Sequence, residues 1–268
     1  MPHEEPGLIE SPKNPRVRAA AALRDRSERD ATGRTLIDGV RELDRALSGG
    51  AVVETLFMDA GRLAGDAIET IARARAAGAS IVEGSAAVLD RLAYGDRSEG
   101  LVAVVRVPDT ALTSLRLGPA PLVVVVEGVE KPGNLGAVLR SADAAGADAV
   151  IAADPGTDLF NPNAIRASLG TIFAAPVAQG SSTEVRAWLD ARGVRVLAAR
   201  VGAGDAYTDT DLTGAVALVL GSEADGLTDA WEGDEIKPIS LPMRGVADSL
   251  NVSITAAVLL YEARRQRG

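Results

Sequence analysis

The 268-residue chain contains no cysteine and a single histidine, His3. Disulfides, thiolate nucleophiles and cysteine-based zinc sites are therefore excluded, and so is a histidine general base outside the extreme N-terminal segment. We expect no metal site. RNA-modifying enzymes that attack pyrimidine C5 through a cysteine are excluded by the same absence. Any chemistry must use arginine, carboxylates, hydroxyls, asparagine and backbone groups.

Long apolar runs are also missing, although 47% of the residues are hydrophobic. None approaches the ~20 residues of a membrane-spanning helix. The first ten residues, MPHEEPGLIE, are acidic and contain no apolar stretch, so we expect no secretory signal. The composition predicts a globular cytoplasmic protein with no membrane partner, long enough for two domains.

The formal net charge is −9, and lysine occurs only as Lys13, Lys131 and Lys237. A negative chain opposes nonspecific nucleic-acid binding unless its cations cluster locally. The other cations are all arginines, which bind phosphate and stack on bases better than lysine does. The preference for arginine over lysine can also reflect genomic compositional bias. Both interpretations stay open.

The N-terminal segment carries several arginines on an alanine-rich stretch. Asn14 and Pro15 mark a turn, and the pattern that follows predicts a helix that Gly33 ends. The arginines lie among acidic residues, so a solvated helix with internal ion pairs is one interpretation. An RNA-phosphate surface is the other, for which the candidates are Arg16, Arg18 and Arg24.

The rest of the chain alternates helix and strand patterns. In the first part we predict a helix over residues 40–47 and strands over 52–58 and 101–107. Residues 108–121 contain three prolines and predict a linker. We therefore assign residues 1–107 to a smaller α/β domain and 122–268 to a parallel-sheet α/β domain.

Two polar segments follow the first strand of the second domain, predicted over residues 122–126. Asn134, Gly136 and Arg140 occupy a loop and the first turns of a helix, with Asn134 near its N-cap. Further along, Asn161-Pro162 predicts a turn or cap, and Arg166 follows it. From the residues alone, this segment is a structural cap-and-turn element.

Two later strands end abruptly in turn residues. The run 216–220 stops at Gly221-Ser222-Glu223, and the run 239–241 stops at Pro242. A long helix then opens, with Ser249 as its N-cap or near-cap residue and Asn251 entering it. Because α/β proteins bind ligands at the carboxyl edge of the sheet, these breaks predict a small-molecule site.

Three motifs in this order resemble the SpoU (TrmH-like) family of RNA ribose 2′-O-methyltransferases. They are N-x-G-x-x-x-R from Asn134, G-S-E-x-x-G-L from Gly221, and the pair S-L-P-M and S-L-N-V-S. The resemblance implies a deep trefoil knot of the SPOUT type, S-adenosylmethionine as methyl donor, and an RNA-binding first domain. It also implies a homodimer through the catalytic domain, with the final helix in the contact.

The resemblance further assigns the site residues. Arg140 would lie beside the acceptor hydroxyl, either as base or as a stabiliser of the developing alkoxide, and guanidinium groups are almost never deprotonated. Arg166 would face the RNA. The remaining catalytic residues would be Asn134, Glu223, Ser249 and Asn251. Cofactor contacts would come from Leu220, Gly221, Ile239, Leu241, Ser249 and Leu250.

Several functions compete at this point. Ribosomal RNA is the favoured substrate because an RNA-binding type of domain precedes the catalytic one, and transfer RNA is the nearest alternative. A noncatalytic RNA-binding module is disfavoured by the net charge and by the complete polar set. A nucleotide-dependent oxidoreductase is disfavoured because no G-x-G-x-x-G opens the first helix of the second domain.

Overall fold

The computed structural model describes residues 7–63, 65, 67–94, 99–202, 205–222 and 225–268. The chain forms two compact units. The first comprises Met1–Pro108 and Phe160–Ala174, and the second comprises Asp109–Leu159 and Ala175–Gly268. The segment Phe160–Ala174 therefore belongs by its contacts to the first unit, although its neighbours in sequence belong to the second.

The first unit is a small α/β layer structure. Its sheet has the order β1-β4-β2-β3, with β4 antiparallel to both neighbours and β2 parallel to β3. The elements are α1 (Pro15–Ala22), α2 (Arg26–Thr32), β1 (Arg34–Asp38), α3 (Val40–Ser48), β2 (Val53–Met58), α4 (Ala67–Ala76), β3 (Ser80–Glu83), α5 (Ala86–Leu92) and β4 (Leu101–Arg106).

The arginine-rich stretch forms two helices, and the prediction of a single helix was wrong. After α1, the Arg29 side chain folds back and its Nη1 donates to the carbonyls of Leu23, at 2.8 Å, and Arg24, at 2.7 Å. These bonds satisfy the carbonyls of a chain that has left the helix. Gly33 ends α2 in the left-handed conformation (φ 63°), as predicted.

The segment Phe160–Ala174 packs on the first unit through backbone contacts. The Thr35 hydroxyl donates to the Phe160 carbonyl at 2.7 Å, and Arg45 Nη1 donates to the Leu169 carbonyl at 2.9 Å. Gly170 lies so close to α3 that a Cβ atom there would be 2.6 Å from the Glu42 carbonyl oxygen. The segment contains a short helix after the predicted Asn161-Pro162 cap.

The second unit is built on seven parallel strands in the order β7-β6-β5-β10-β8-β11-β9. Helix α6 packs against α9. The elements from residue 122 onward, including helix α7 of the first unit, are β5 (Leu122–Glu127), α6 (Pro132–Ala145), β6 (Ala149–Ala153), α7 (Pro162–Ala167), β7 (Val177–Gly180), α8 (Ser182–Asp190), β8 (Arg195–Ala199), β9 (Asp205–Ala206), β10 (Val216–Leu220), β11 (Ile236–Ser240) and α9 (Val252–Arg267).

The register of the central strands brings their carboxyl ends to one edge. Leu220 pairs with Val126 of β5 and with Ala199 of β8, and Ile239 of β11 pairs with Ala199. All residues of β5 and β10 are buried, as expected for a parallel sheet covered on both faces. The segments that leave these strands therefore start close together.

The predicted linker packs as part of the second unit. The Thr110 carbonyl accepts from Gln179 N at 2.9 Å, and Leu115 is buried in the second unit's core. The functional division at residues 108–121 and the trefoil knot both stay predictions. Within the described residues, no helix is long and apolar enough to span a bilayer.

Candidate active site

A cavity of about 830 Å³ lies at the carboxyl edge of the parallel sheet, where β8, β10 and β11 end. Each of the six residues predicted to contact a cofactor lines it, four of them apolar. They are Leu220, Gly221, Ile239, Leu241, Ser249 and Leu250. Three separate sequence segments supply these residues, and the fold brings them together at one cavity.

The wall formed by residues 241–250 has unused hydrogen-bonding capacity. These residues have no helix or strand, and none of their backbone or side-chain groups bonds to another residue in the described part of the chain. Backbone N–H and C=O groups require partners, so these groups are left for water or a ligand. Most of this wall is exposed.

The segment after β10 folds back on itself beside the cavity. Ser222 and Gly226 exchange two backbone hydrogen bonds, of 3.1 and 3.2 Å. A Cβ atom at Gly221 would lie 2.1 Å from the Gly226 carbonyl carbon. The closure of the loop therefore requires a glycine at this position. Glu223 lies outside the described residues.

Asn134 and Asn251 meet in the structure. Asn251 Nδ2 donates to Asn134 Oδ1 at 3.3 Å, which joins the first turn of α6 to the start of α9. Asn251 is the N-cap of α9, since its Oδ1 accepts from Ser253 N at 2.9 Å. Of the two predicted positions for Ser249, N-cap was wrong and near-cap is right, because Ser249 lies two residues before Asn251 and lines the cavity. Asn134 is the third residue of α6.

Arg140 is exposed on α6 and is not among the residues that line the cavity. It lies six positions after Asn134, which corresponds to about 9 Å along the helix axis. Within the described part of the chain, its guanidinium has no hydrogen bond or ion pair. The guanidinium is therefore available to a ligand.

Two of the arginines predicted to bind RNA have partners inside the first unit. Arg24 donates to the Ala93 carbonyl and lies over the Tyr94 ring, 5.4 Å from its centroid. Arg166 donates to the Tyr94 carbonyl and lies 4.0 Å from Asp38. Both side chains thus contact the end of the α5 segment.

The other two predicted RNA-binding arginines lie on α1 and are exposed. Arg16 Nη2 donates to Ser80 Oγ at 3.2 Å. Arg18 has no partner among the described residues. Of the four candidates, Arg18 is therefore the one with an uncommitted guanidinium, and RNA binding by this set stays a prediction.

A buried carboxyl lies beside Arg166 in the first unit. Burial raises the pKa of Asp38 from 3.8 to about 6, and the neighbouring Glu99 and Glu42 add to the rise. The Tyr94 N–H, which donates to Asp38 Oδ2 at 2.5 Å, and the Arg166 guanidinium oppose it. Burial likewise raises the pKa of Glu42.

Sequence reasoning missed three charged residues on the cavity wall: Arg200, Asp225 and Asp248. Arg200 directly follows β8, and the end of a strand was the signal that could have found it. Its Nη2 donates to the Trp231 carbonyl at 3.1 Å, so it also secures the segment after the loop. Neither aspartate forms an ion pair within the described residues.

Two family models match the chain. Residues 121–261 match the SpoU rRNA Methylase family, and residues 14–103 match the MRM3-like substrate binding domain. The matched segments correspond to the parallel-sheet unit and to most of the first unit.

Relatives align along nearly the whole chain. A 23S rRNA (uridine(2479)-2′-O)-methyltransferase of Streptomyces viridochromogenes is 35% identical, over 92% of this chain and 88% of its own. A 23S rRNA (guanosine(2553)-2′-O)-methyltransferase of Bacillus subtilis is 32% identical, over 96% and 98%. The crystal structure of the SpoU methyltransferase AviRb from S. viridochromogenes, in complex with AdoMet, superposes with a TM-score of 0.86 at 31% identity, covering 95% and 98%.

Proposed function

The chain belongs to the SpoU rRNA methylase family, and from that premise we propose that it transfers a methyl group from S-adenosylmethionine to a ribose 2′-hydroxyl of ribosomal RNA. The observation that carries the proposal is the cavity at the sheet edge. All six residues expected to hold the donor line it.

The cavity fits the donor in size and chemistry. Its volume of about 830 Å³ lies within the usual range for ligand sites, about 300–1,000 Å³. Leu220, Ile239, Leu241 and Leu250 offer apolar contacts for an adenine ring. The unpaired backbone groups of residues 241–250 offer hydrogen bonds for its polar edges and for the amino-acid part. The bound donor supplies an electrophilic methyl group.

The protein must align the acceptor hydroxyl and assist the loss of its proton, because the displacement at the methyl carbon is in line. Arg140 is the proposed group for this step, with a guanidinium free of partners among the described residues. Two roles stay open, those of base and of stabiliser for the developing alkoxide. The hydrogen-bonded pair Asn134 and Asn251 orients the ribose or Arg140, together with Glu223 and Ser249.

Ribosomal RNA is the proposed substrate rather than transfer RNA. Support comes from the substrate-binding-domain match over residues 14–103 and from the two relatives named as 23S rRNA methyltransferases. With a net charge of −9, the protein must contact RNA through local cations, for which we propose Arg16 and Arg18 first. A ribosomal substrate supports a cytoplasmic location.

A homodimer is proposed through α9. Ile254 and Tyr261 on this helix are 52% and 55% exposed, which leaves apolar surface uncovered, whereas Leu259 belongs to the core. Sedimentation at low protein concentration tests this. A dimer supports the proposal, and a persistent monomer contradicts it.

Calorimetry tests the proposed donor directly. The protein is titrated with S-adenosylmethionine and, separately, with NAD. We expect saturable binding of S-adenosylmethionine alone. Binding of NAD without S-adenosylmethionine would contradict the proposal and favour an oxidoreductase. Donor binding without methyl transfer to ribosomal RNA would favour a noncatalytic RNA-binding module.

A further inference from the structure

Glu127, the last residue of β5, is a buried carboxylate that the proposed chemistry does not use. Its exposure is 3%, and a charge at such a position requires hydrogen-bond donors. Oε1 accepts from Ser182 Oγ at 2.6 Å and from Thr228 Oγ1 at 2.7 Å. Oε2 accepts from Thr228 N at 2.8 Å. One carboxylate thus holds the start of α8 and the segment that follows β10.

Thr228 is directly connected to the cavity wall. Gly226 and Leu227, the two residues before it, both line the cavity. Gly226 closes the loop by its two backbone bonds with Ser222, and its backbone packs on Gly221. The position of Thr228 therefore sets where this closed loop lies against the donor cavity.

A second anchor holds the carbonyl side of the same segment. Arg200 Nη2 approaches the Thr228 carbonyl at 3.4 Å and donates to the Trp231 carbonyl at 3.1 Å. The Thr228 N–H is held by Glu127 and its carbonyl faces Arg200. Of the two anchors, only Glu127 is buried, and its bonds of 2.6–2.8 Å are the shorter ones.

We propose that Glu127 is a positioning residue for the methyl donor, acting through Thr228 to hold residues 221, 222 and 225–227 at the cavity wall. Ser182, which donates to the same carboxylate oxygen as the Thr228 hydroxyl, secures Glu127 to α8 and is not part of the cavity wall. The inference rests on the proposed function, because it concerns how tightly the same donor is held.

Two variants form a matched pair for the test. Ser182→Ala and Thr228→Val each remove one hydroxyl that donates to Glu127 Oε1, and both retain the Thr228 N–H bond to Oε2. The Thr228 hydroxyl also accepts from Ala230 N, but at 3.4 Å, which is beyond the ordinary range of about 2.7–3.2 Å. Glu127→Ala would leave three donors without their acceptor and is expected to impair folding, so the pair carries the test.

The readouts are the donor dissociation constant by calorimetry, KM and kcat for methyl transfer, and the thermal midpoint. Thr228→Val is expected to weaken donor binding about tenfold, as for loss of a hydrogen bond to a charged group. Its KM for the donor rises in parallel, while kcat at saturating donor stays within about twofold. Both variants should lower the thermal midpoint by a similar amount, since each loses one hydrogen bond to the carboxylate. Ser182→Ala should nevertheless change donor binding by less than about twofold.

Thr228→Ser restores the hydroxyl and is expected to return donor affinity to the wild-type value. Equal donor affinities in Thr228→Val and Ser182→Ala, whether both normal or both reduced, would overturn the inference while leaving the proposed function intact. A wild-type protein that binds no S-adenosylmethionine would overturn the inference and the proposed function together.

Discussion

Three arginines of the first unit and Arg140 of the second are used in opposite ways. In the first unit, Arg24, Arg29 and Arg166 donate to backbone carbonyls of that unit. In the second unit, Arg140 is the last residue of the first site motif, and its guanidinium has no partner within the described residues. A guanidinium that already holds the fold together has fewer donors left for a ligand. The comparison thus separates structural arginines from a candidate catalytic one.

Backbone groups show the same contrast. The segment Phe160–Ala174 satisfies its carbonyls through side chains of the first unit, such as Thr35 and Arg45. Residues 241–250, which border the cavity in the second unit, have no such bonds within the described residues. Unsatisfied groups beside a cavity are what a ligand site requires before its ligand arrives.

The largest expected effect concerns Arg140. Arg140→Ala should lower methyl transfer by about 10³-fold or more, because a charge that assists proton loss from the acceptor is removed. Donor affinity should stay within a few-fold, since Arg140 does not line the cavity. Methyl-transfer kinetics and calorimetry measure the two quantities.

Arg195→Ala is the matched control for Arg140→Ala. Arg195 begins β8, so it lies at the amino ends of the strands, and its exposed side chain pairs with Asp211 and donates to the Thr213 carbonyl at 2.7 Å. Turnover in this variant should be normal. Near-normal turnover in Arg140→Ala would refute the assignment of Arg140 to the reaction.

Gly221→Ala sharpens the contrast in backbone packing. The added Cβ would meet the Gly226 backbone at 2.1 Å, so the loop must shift from its position at the cavity wall. Overpacking of this kind costs about 1–3 kcal/mol, and we expect donor binding to fall by about tenfold or more. Gly118→Ala, where a Cβ would have nothing within 4 Å, is the control. Equal donor affinity in both variants would contradict the account of the loop.

Asp38→Asn tests the buried carboxyl of the first unit. Because the folded pKa, about 6, exceeds the unfolded value near 3.8, the folded state binds the proton more tightly. The free energy of unfolding therefore falls as the pH rises from about 4 to 6, and the loss persists above that. At pH 8 the variant should be more stable by about 1–2 kcal/mol, and its pH dependence over this window should be smaller.

Denaturant unfolding measures the free energy of unfolding of both proteins at pH 4.5 and pH 8. These two values lie on either side of the folded-state pKa of Asp38, about 6. Asp234→Asn, at an exposed position of the second unit, serves as the control and should leave the pH dependence unchanged. A variant of Asp38 that is less stable than the wild type at pH 8 would show that the ionised carboxylate stabilises the fold.

The smallest effects distinguish Arg24 from Arg18. Arg24→Ala should lower the free energy of unfolding by about 1 kcal/mol, since a carbonyl bond and a cation–π contact are lost. Arg18→Ala should leave stability unchanged and weaken RNA binding slightly, with a shallower salt dependence. The opposite pattern would reverse the assignment of structural and RNA-binding arginines.

Much of this architecture follows from local pattern. Continuous apolar strands such as residues 122–126 and 216–220 predict a buried parallel sheet, and their glycine-terminated ends predict where a ligand binds. The SpoU resemblance, the enzyme class and the methyl donor are confirmed by the family model and the relatives. The trefoil knot, the homodimer and the catalytic roles stay predictions.

What the sequence pattern did not predict has a physical cause in each case. Serine and asparagine are both good N-caps, so local preference could not choose between Ser249 and Asn251. The break between α1 and α2 depends on where the Arg29 side chain folds. The partners of Arg166 come from residues 72 positions away or more, beyond the reach of any local pattern.

The most direct test of the account is methyl transfer itself. Ribosomal RNA from cells that lack the protein is incubated with the purified protein and isotope-labelled S-adenosylmethionine, and the labelled nucleotides are identified after alkaline hydrolysis. The account predicts label on a ribose 2′-oxygen, which protects the adjacent phosphodiester from hydrolysis, and none with Arg140→Ala. Label on a base, or none in ribosomal RNA from a protein that binds the donor, would contradict it.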